Sequence, residues 1–319
     1  MSHEETPRPF GMGKELTQDG AFKRQVNQFR DAVTADGSSD FPAEAGRYHL
    51  YVSWACPWAH RAAIGRHLKG LEDVISMSAV DPVRDARGWA FTGGEYTDPV
   101  NGYKFLSEAY EATQPGFDQR VTVPVLWDKQ TGVIVNNESS EVLRILDSGF
   151  GELAQTKVEL YPESLRTEID AVNELIYERV NNGVYKAGFA TSQTVYEAEV
   201  TTLFDTLDIL DDRLRQQRWL VPNDTPTEAD WRLFTTLVRF DCVYVGHFKC
   251  NLRRIVDYPN LSGYLRDLYQ QPGIAELVRF QEEKDHYYKT HPMINPNGIV
   301  PLGPIMDLDA PHGRESLGA

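Results

Sequence analysis

A cysteine, a proline and two cationic side chains stand together in Ser53-Trp54-Ala55-Cys56-Pro57-Trp58-Ala59-His60-Arg61. A thiol that ionises can attack sulfur, which no neighbouring side chain can do as readily. Tyr48 to Ser53 is rich in aromatic and branched residues, as a strand is, and a helical pattern runs on from Pro57. Cys56 therefore falls where a strand gives way to a helix, with Pro57 at a first-turn position that tolerates proline. Unpaired backbone N–H groups and the positive end of the helix dipole favour a thiolate there. His60, one turn on, and Arg61 are placed to add positive potential. The competing reading is a small apolar filler beside tryptophans; it suits Cys242 and Cys250, which lie in or just after an apolar helix.

Three residues after Cys56 comes Ala59, so the site has no second cysteine with which to close its own disulfide. A mixed disulfide on Cys56 would need an external small thiol to resolve it. Two further stretches suit such a ligand. Val121-Thr122-Val123-Pro124-Val125-Leu126 puts a proline, which lacks a ladder donor, into a strand-like run. Asn136-Asn137-Glu138-Ser139-Ser140 opens a helix. The first-turn N–H groups and Ser139 hydroxyl suit a carboxylate and Glu138 an amine, the two groups of a γ-glutamyl end; plain capping is the alternative use.

The elements that must hold these groups run strand (48–53), helix (57–70), strand (74–80), a long irregular excursion (81–120), two paired strands (121–127 and 133–135) and a helix (138–146). That is the thioredoxin-like order of a βαβ unit followed by a ββα unit. In such folds a cis-proline sits beside the active thiol, which makes Val123–Pro124 the candidate cis bond. Beyond Gly149 the pattern is helical throughout: 163–182, 193–218, 227–245, 261–270 and 273–288, with a capping-box start at Thr227 to Asp230. The fold class is thus α/β plus all-α. Its parts are an arm (1–46, with a short helix across 20–33), a thioredoxin-like domain (47–150), an all-helical domain (151–290) and an extended tail (291–319).

With 41% apolar residues in 319, the chain can bury a large core without disulfides or metal. Three scattered cysteines form no disulfide framework, and no metal-ligand spacing occurs, so no metal is expected. A net charge of −15 argues against nucleic-acid or anionic-membrane binding. The N-terminus lacks signal-peptide regions and no apolar run is long enough to span a bilayer, so a cytoplasmic location is expected.

The segments CPWAHR (56–61), GWAF (88–91), RVTVPVLWD (120–128), NESSEVLR (137–144) and NNGVYKAGFA (181–190) resemble the glutathione transferase superfamily. A cysteine nucleophile narrows this to the omega-like members. The blocks PTEADWRLFTTLVRFDCVYVGHFKCN (226–251) and HYYKTHPMINPNGIVPLGP (286–304) look like the glutathionyl-hydroquinone reductases, the xi class. The resemblance spans 48–304 in order, and Cys242 stands where a proline is expected.

That resemblance implies Cys56 as nucleophile, and Trp89, Arg120, Val123 (through its backbone), Glu138 and Ser139 as the glutathione-holding set. It implies Tyr185 and Tyr288, with Tyr287 as a further candidate, facing the quinol. From the residues alone, Trp89 either stacks on the ligand or fills the excursion. The implied partners are glutathione, as co-substrate, and glutathionyl-hydroquinones, with no bound cofactor and a homodimeric assembly. An omega-type thioltransferase or dehydroascorbate reductase would use the same cysteine with a more open second site. A non-enzymatic binding module would leave Cys56 unreactive.

Overall fold

The computed structural model describes residues 15–318, so the first part of the arm, 1–14, lies outside the described residues. Two hydrophobic cores organise the chain, one around a four-stranded sheet and one among the helices.

In the first, β3 (Tyr48–Val52) is buried along its whole length, as a central strand should be. It pairs in parallel with β4 (Ser76–Ala79) and antiparallel with β5 (Val125–Asp128), which pairs antiparallel with β6 (Val133–Asn136). The one polar residue of β3 that cannot avoid burial, His49, is held between the hydroxyls of Ser76 and Ser78, each 2.8 Å away. Helix α1 (Pro57–Leu68) and helix α3 (Ser139–Arg144) pack closely. A Cβ on Gly65 would stand 2.6 Å from Leu143 Cδ1, so only glycine allows this approach. This is the thioredoxin-like half.

The excursion 81–120 is less irregular than its sequence suggests, since it contains α2 (Ser107–Thr113). Pro124 falls just ahead of β5 rather than inside it, and the Val123–Pro124 bond is cis.

The arm departs from expectation more. No helix forms across 20–33; residues 23–32 run extended along the free edge of β6. The Asp31 amide donates to the Val135 carbonyl (3.0 Å), and the Asn137 amide to that of Phe29 (3.1 Å). Satisfying an exposed strand edge outweighs the weak helix propensity of this stretch. A short parallel pair, β1 (Val33–Thr34) and β2 (Phe41–Pro42), completes the arm.

The helical half comprises α4 (Arg166–Ile176), α5 (Gly183–Gly188), α6 (Gln193–Arg213), α7 (Glu228–Arg239), α8 (Leu261–Tyr269) and α9 (Phe280–Thr290). Helix α7 is buried at every residue and forms the axis of the domain. Its start is the expected capping box, with Asp230 accepting from the Thr227 amide at 2.8 Å. Helix α9 begins at Phe280, not 273. Gly273 has φ 76°, a left-handed conformation that stops a helix, and it packs on the His67 ring. The tail after α9 is extended but anchored: Leu308 is buried, and Arg314 donates to the carbonyls of Leu214, Gln217 and Arg218.

Candidate active site

Cys56 is the residue before α1, with an extended backbone (φ −82°, ψ 118°) and Pro57 following in the first turn. Its half-buried Sγ lies 3.7 Å from the Val123 carbonyl, so the thiol and the cis-proline loop face each other across one pocket. That pocket gathers Cys56, Trp89, Arg120, Val123, Glu138 and Ser139. Six expected site residues, drawn from four separate segments, share one wall-to-wall cavity.

The arm closes the same pocket with residues that carried no signal in the sequence. Asn27 Nδ2 donates to Glu138 Oε2 (2.9 Å), while Ser140 holds the other carboxylate oxygen through its amide and hydroxyl. Gln25 brackets Arg120, accepting from its amide (3.0 Å) and donating to its carbonyl (3.3 Å). Glu15 forms an ion pair with the Arg120 guanidinium. Arg24 lies 4.6 Å over the Trp58 ring and 4.8 Å over that of Tyr185. The local cue was slight: polar residues interspersed with Phe22 and Phe29, which anchor the arm by packing on Phe189 and Tyr110.

Positive charge reaches Cys56 by a different route from the one the helix pattern predicts. His60 is buried and its pKa is driven well below the usual imidazole value, by desolvation first and then by the Arg239 charge. It is neutral. Arg61 turns to Asn181 Oδ1 (2.9 Å) and lies over the Trp58 ring. The cation that supports the thiol's loop is Arg239, 184 residues away from Ala55 in sequence. From the end of α7 it donates to the carbonyls of Trp54 (2.7 Å) and Ala55 (3.0 Å), and it pairs with the buried Glu283 of α9 at 3.0 Å. Desolvation pushes the Glu283 carboxyl up to about 7, against the pull of Arg239.

Beyond Trp58 lies a cluster of tyrosines. Tyr185 and Tyr287 share a hydrogen bond of 2.5 Å, and Tyr244 stands 3.2 Å from the Tyr287 hydroxyl. Burial raises all three phenol pKa values, so these groups are protonated donors at neutral pH. Tyr288 is not among them. Glu283, His286 and Tyr287 share the buried face of α9, and the next residue is rotated off it. Tyr288 instead packs on His247, ring centroids 4.9 Å apart, with its hydroxyl against Gly246. The expectation placing Tyr288 with Tyr185 gives way to Tyr287. Trp89 lines the pocket and stacks on His286 at 5.2 Å.

Cys242 and Cys250 are buried, and burial pushes both thiols up, so they stay protonated and inert. Among the described residues no cluster of metal-ligating side chains occurs, and no helix is long and apolar enough to cross a membrane.

Comparison with known proteins decides the family. "Glutathione S-transferase, N-terminal domain" matches residues 55–148, and "Glutathione S-transferase, C-terminal domain" matches 193–267. The chain is 51% identical over 305 residues to glutathionyl-hydroquinone reductase YqjG of Escherichia coli, covering 93% of each protein. It is 49% identical over 291 residues to glutathionyl-hydroquinone reductase PcpF of Sphingobium chlorophenolicum, covering 91% of each. The chain belongs to the glutathionyl-hydroquinone reductases, the Xi class of glutathione transferases. The glutathione-bound structure of YqjG superposes with a TM-score of 0.88, covering 91% of this chain and 96% of that one. The Xi-class transferase from Natrialba magadii superposes at 0.91 with 51% identity, covering 96% and 94%. Within this Xi-class chain, the arm residues Arg24, Gln25 and Asn27 are the largest addition to the site over what local sequence pattern revealed.

Proposed function

We propose that the chain reduces glutathionyl-hydroquinones to hydroquinones through a Cys56–glutathione mixed disulfide. The observation that carries this reading is Cys56 Sγ facing the Val123 carbonyl, with the Tyr185–Tyr287 pair beyond Trp58. The cavity offers groups for a peptide-like thiol, and behind its Trp58 wall stand protonated phenols for a ring hydroxyl.

In this reading the substrate's glutathione arm lies along Val123, with its amino-acid end at Glu138 and Ser139 and Trp89 and Arg120 flanking it. Asn27 and Ser140 hold the Glu138 carboxylate in orientation, so less ordering is left for the ligand to bring about. The Cys56 thiolate attacks the glutathione sulfur, forming an S–S bond as the sulfur–ring bond breaks. The ring carbon takes a proton before this attack, with Tyr287, backed by Tyr185 and Tyr244, as the acid. A second glutathione then attacks the mixed disulfide and leaves as oxidised glutathione. A homodimeric assembly and a cytoplasmic setting complete the proposal.

The test is incubation with a glutathionyl-menadiol conjugate and glutathione, following menadiol and oxidised glutathione by chromatography. Both products should form together, and Cys56→Ala should abolish both. Full turnover by Cys56→Ala would sink the mechanism.

A further inference from the structure

The excursion between β4 and α2 carries one arginine whose role the fold leaves open. The Arg84 guanidinium lies 4.9 Å from the centroid of the Trp89 ring, whose neighbour on α9 is His286. Its backbone amide is held by Thr290 Oγ1 at 3.2 Å, which ties the Arg84 loop to the helix that supplies Tyr287. Four other arginines near the thiol have polar partners: Arg61 has Asn181, Arg24 has Asn182, Arg120 has Glu15 and Arg239 has Glu283. Among the described residues, the Arg84 guanidinium forms no ion pair and no hydrogen bond. Desolvation and then the like charge of Arg120 lower its pKa to about 9, while Cys56, Glu15 and Tyr185 act in the opposite direction. Trp89 lines the pocket of Cys56, and Thr290 belongs to the helix of Tyr287, so the Arg84 loop joins the wall of the thiol's pocket to the helix of the tyrosine cluster.

A half-buried cation with no ion pair, stacked on the Trp89 wall of the thiol's pocket, suits an anion that exists only during turnover. The sulfur-bearing ring carbon first takes a proton from the tyrosine cluster while the adjacent hydroxyl gives one up, so that this carbon becomes tetrahedral beside a ring carbonyl. When Cys56 then takes the glutathione sulfur, the electron pair of the sulfur–carbon bond passes through that carbon to the carbonyl oxygen, which becomes an aryloxide. The thiolate sulfur is oxidised to disulfide, the ring carbon is reduced and keeps its new C–H bond, and the aryloxide takes back a proton as the hydroquinone leaves. Preorganised charge aimed at such a developing oxyanion lowers the barrier without reorganisation at the moment of reaction. We propose that Arg84 is an electrostatic catalytic residue that receives the developing aryloxide of the departing hydroquinone. This rests on the reductase reading of the site.

The experiment compares the parent, Arg84→Met and Arg84→Lys on two substrates: a glutathionyl-menadiol conjugate, and oxidised glutathione as the glutathionyl donor to Cys56. The second releases a thiolate and makes no aryloxide. Arg84→Met should lower kcat/KM for the conjugate by about 10²-fold. Capture of glutathione from the disulfide should be nearly unchanged, and Arg84→Lys should recover part of the loss. The deficit should shrink for conjugates of chlorinated hydroquinones, whose aryloxides need less help. Unchanged kcat/KM for the conjugate overturns the proposal, as does an equal loss on both substrates, which would place the effect on Cys56 itself. A parent enzyme that releases no menadiol but captures glutathione overturns the reductase reading and this proposal with it.

Discussion

Replacing Arg239 by methionine asks whether the helical domain holds the nucleophile in place. The guanidinium donates to the carbonyls of Trp54, Ala55 and Thr235 at 2.7, 3.0 and 2.8 Å, and faces Glu283 and His60 at 3.0 Å each. Methionine fills much of that volume and supplies no donor. Breaking a buried ion pair by removing one partner costs about 3–5 kcal/mol, because the other charge is stranded. Glu283 already sits near 7 and can take up a proton, which holds this part to the low end. Each carbonyl left without a donor adds about 1 kcal/mol. The single variant should therefore lose about 5 kcal/mol of unfolding free energy. Replacing Glu283 by methionine as well removes the stranded charge but not the stranded carbonyls. The double variant should recover roughly half of the loss.

Equilibrium urea unfolding reads the stability term, and alkylation of Cys56 by iodoacetamide together with turnover reads the positioning term. Both variants lack the bonds to the Trp54 and Ala55 carbonyls, so both should turn over at least about tenfold more slowly, whatever their stability. A single variant within about 1 kcal/mol of the parent would refute the energetic argument. A double variant with parental activity would refute the claim that these two bonds position the thiol.

The tyrosine assignment predicts that Tyr287→Phe lowers turnover by about 10²-fold, whereas Tyr288→Phe leaves it nearly unchanged; steady-state kinetics decide. Buried histidines set the acid limit of stability. His49 is lowered by burial to about 4 and His286 to about 3, against 6.5 when unfolded, so the folded state binds fewer protons. Their contribution is complete above 6.5 and lost as pH falls towards 4, up to about 3 kcal/mol for His49. His49→Gln should flatten the fall in Tm between pH 6.5 and 4.5; an unaltered slope would count against the argument. Gly188 packs so closely that a Cβ would stand 2.1 Å from the Phe248 ring, which is itself wedged against Tyr185, Phe189 and Tyr244. Gly188→Ala should cost about 3 kcal/mol and lower Tm by several degrees.

Some features are legible from near neighbours alone, and the misses share a physical cause. Cys56 at the end of β3 and Pro124 ahead of β5 announce themselves through residue type and neighbours a few positions away. The arm does not, because its extended form is decided by the edge of β6 about a hundred residues on, and no period within 20–33 encodes that partner. The resemblance names Tyr288 with Tyr287 as a further candidate, and it is the buried face of α9 that separates the two. With Glu283 taken as a buried anchor, the i, i+4 relation selects Tyr287 directly. His60 and Arg61 show the deeper limit. One turn from the thiol in sequence, they are cations on paper, yet burial neutralises the first and Asn181 engages the second. Charge near a nucleophile depends on solvent access and distant partners, both properties of the folded chain. Hence the loop around Cys56 is governed by Arg239 and Glu283, from helices that a local reading would assign to another domain's core.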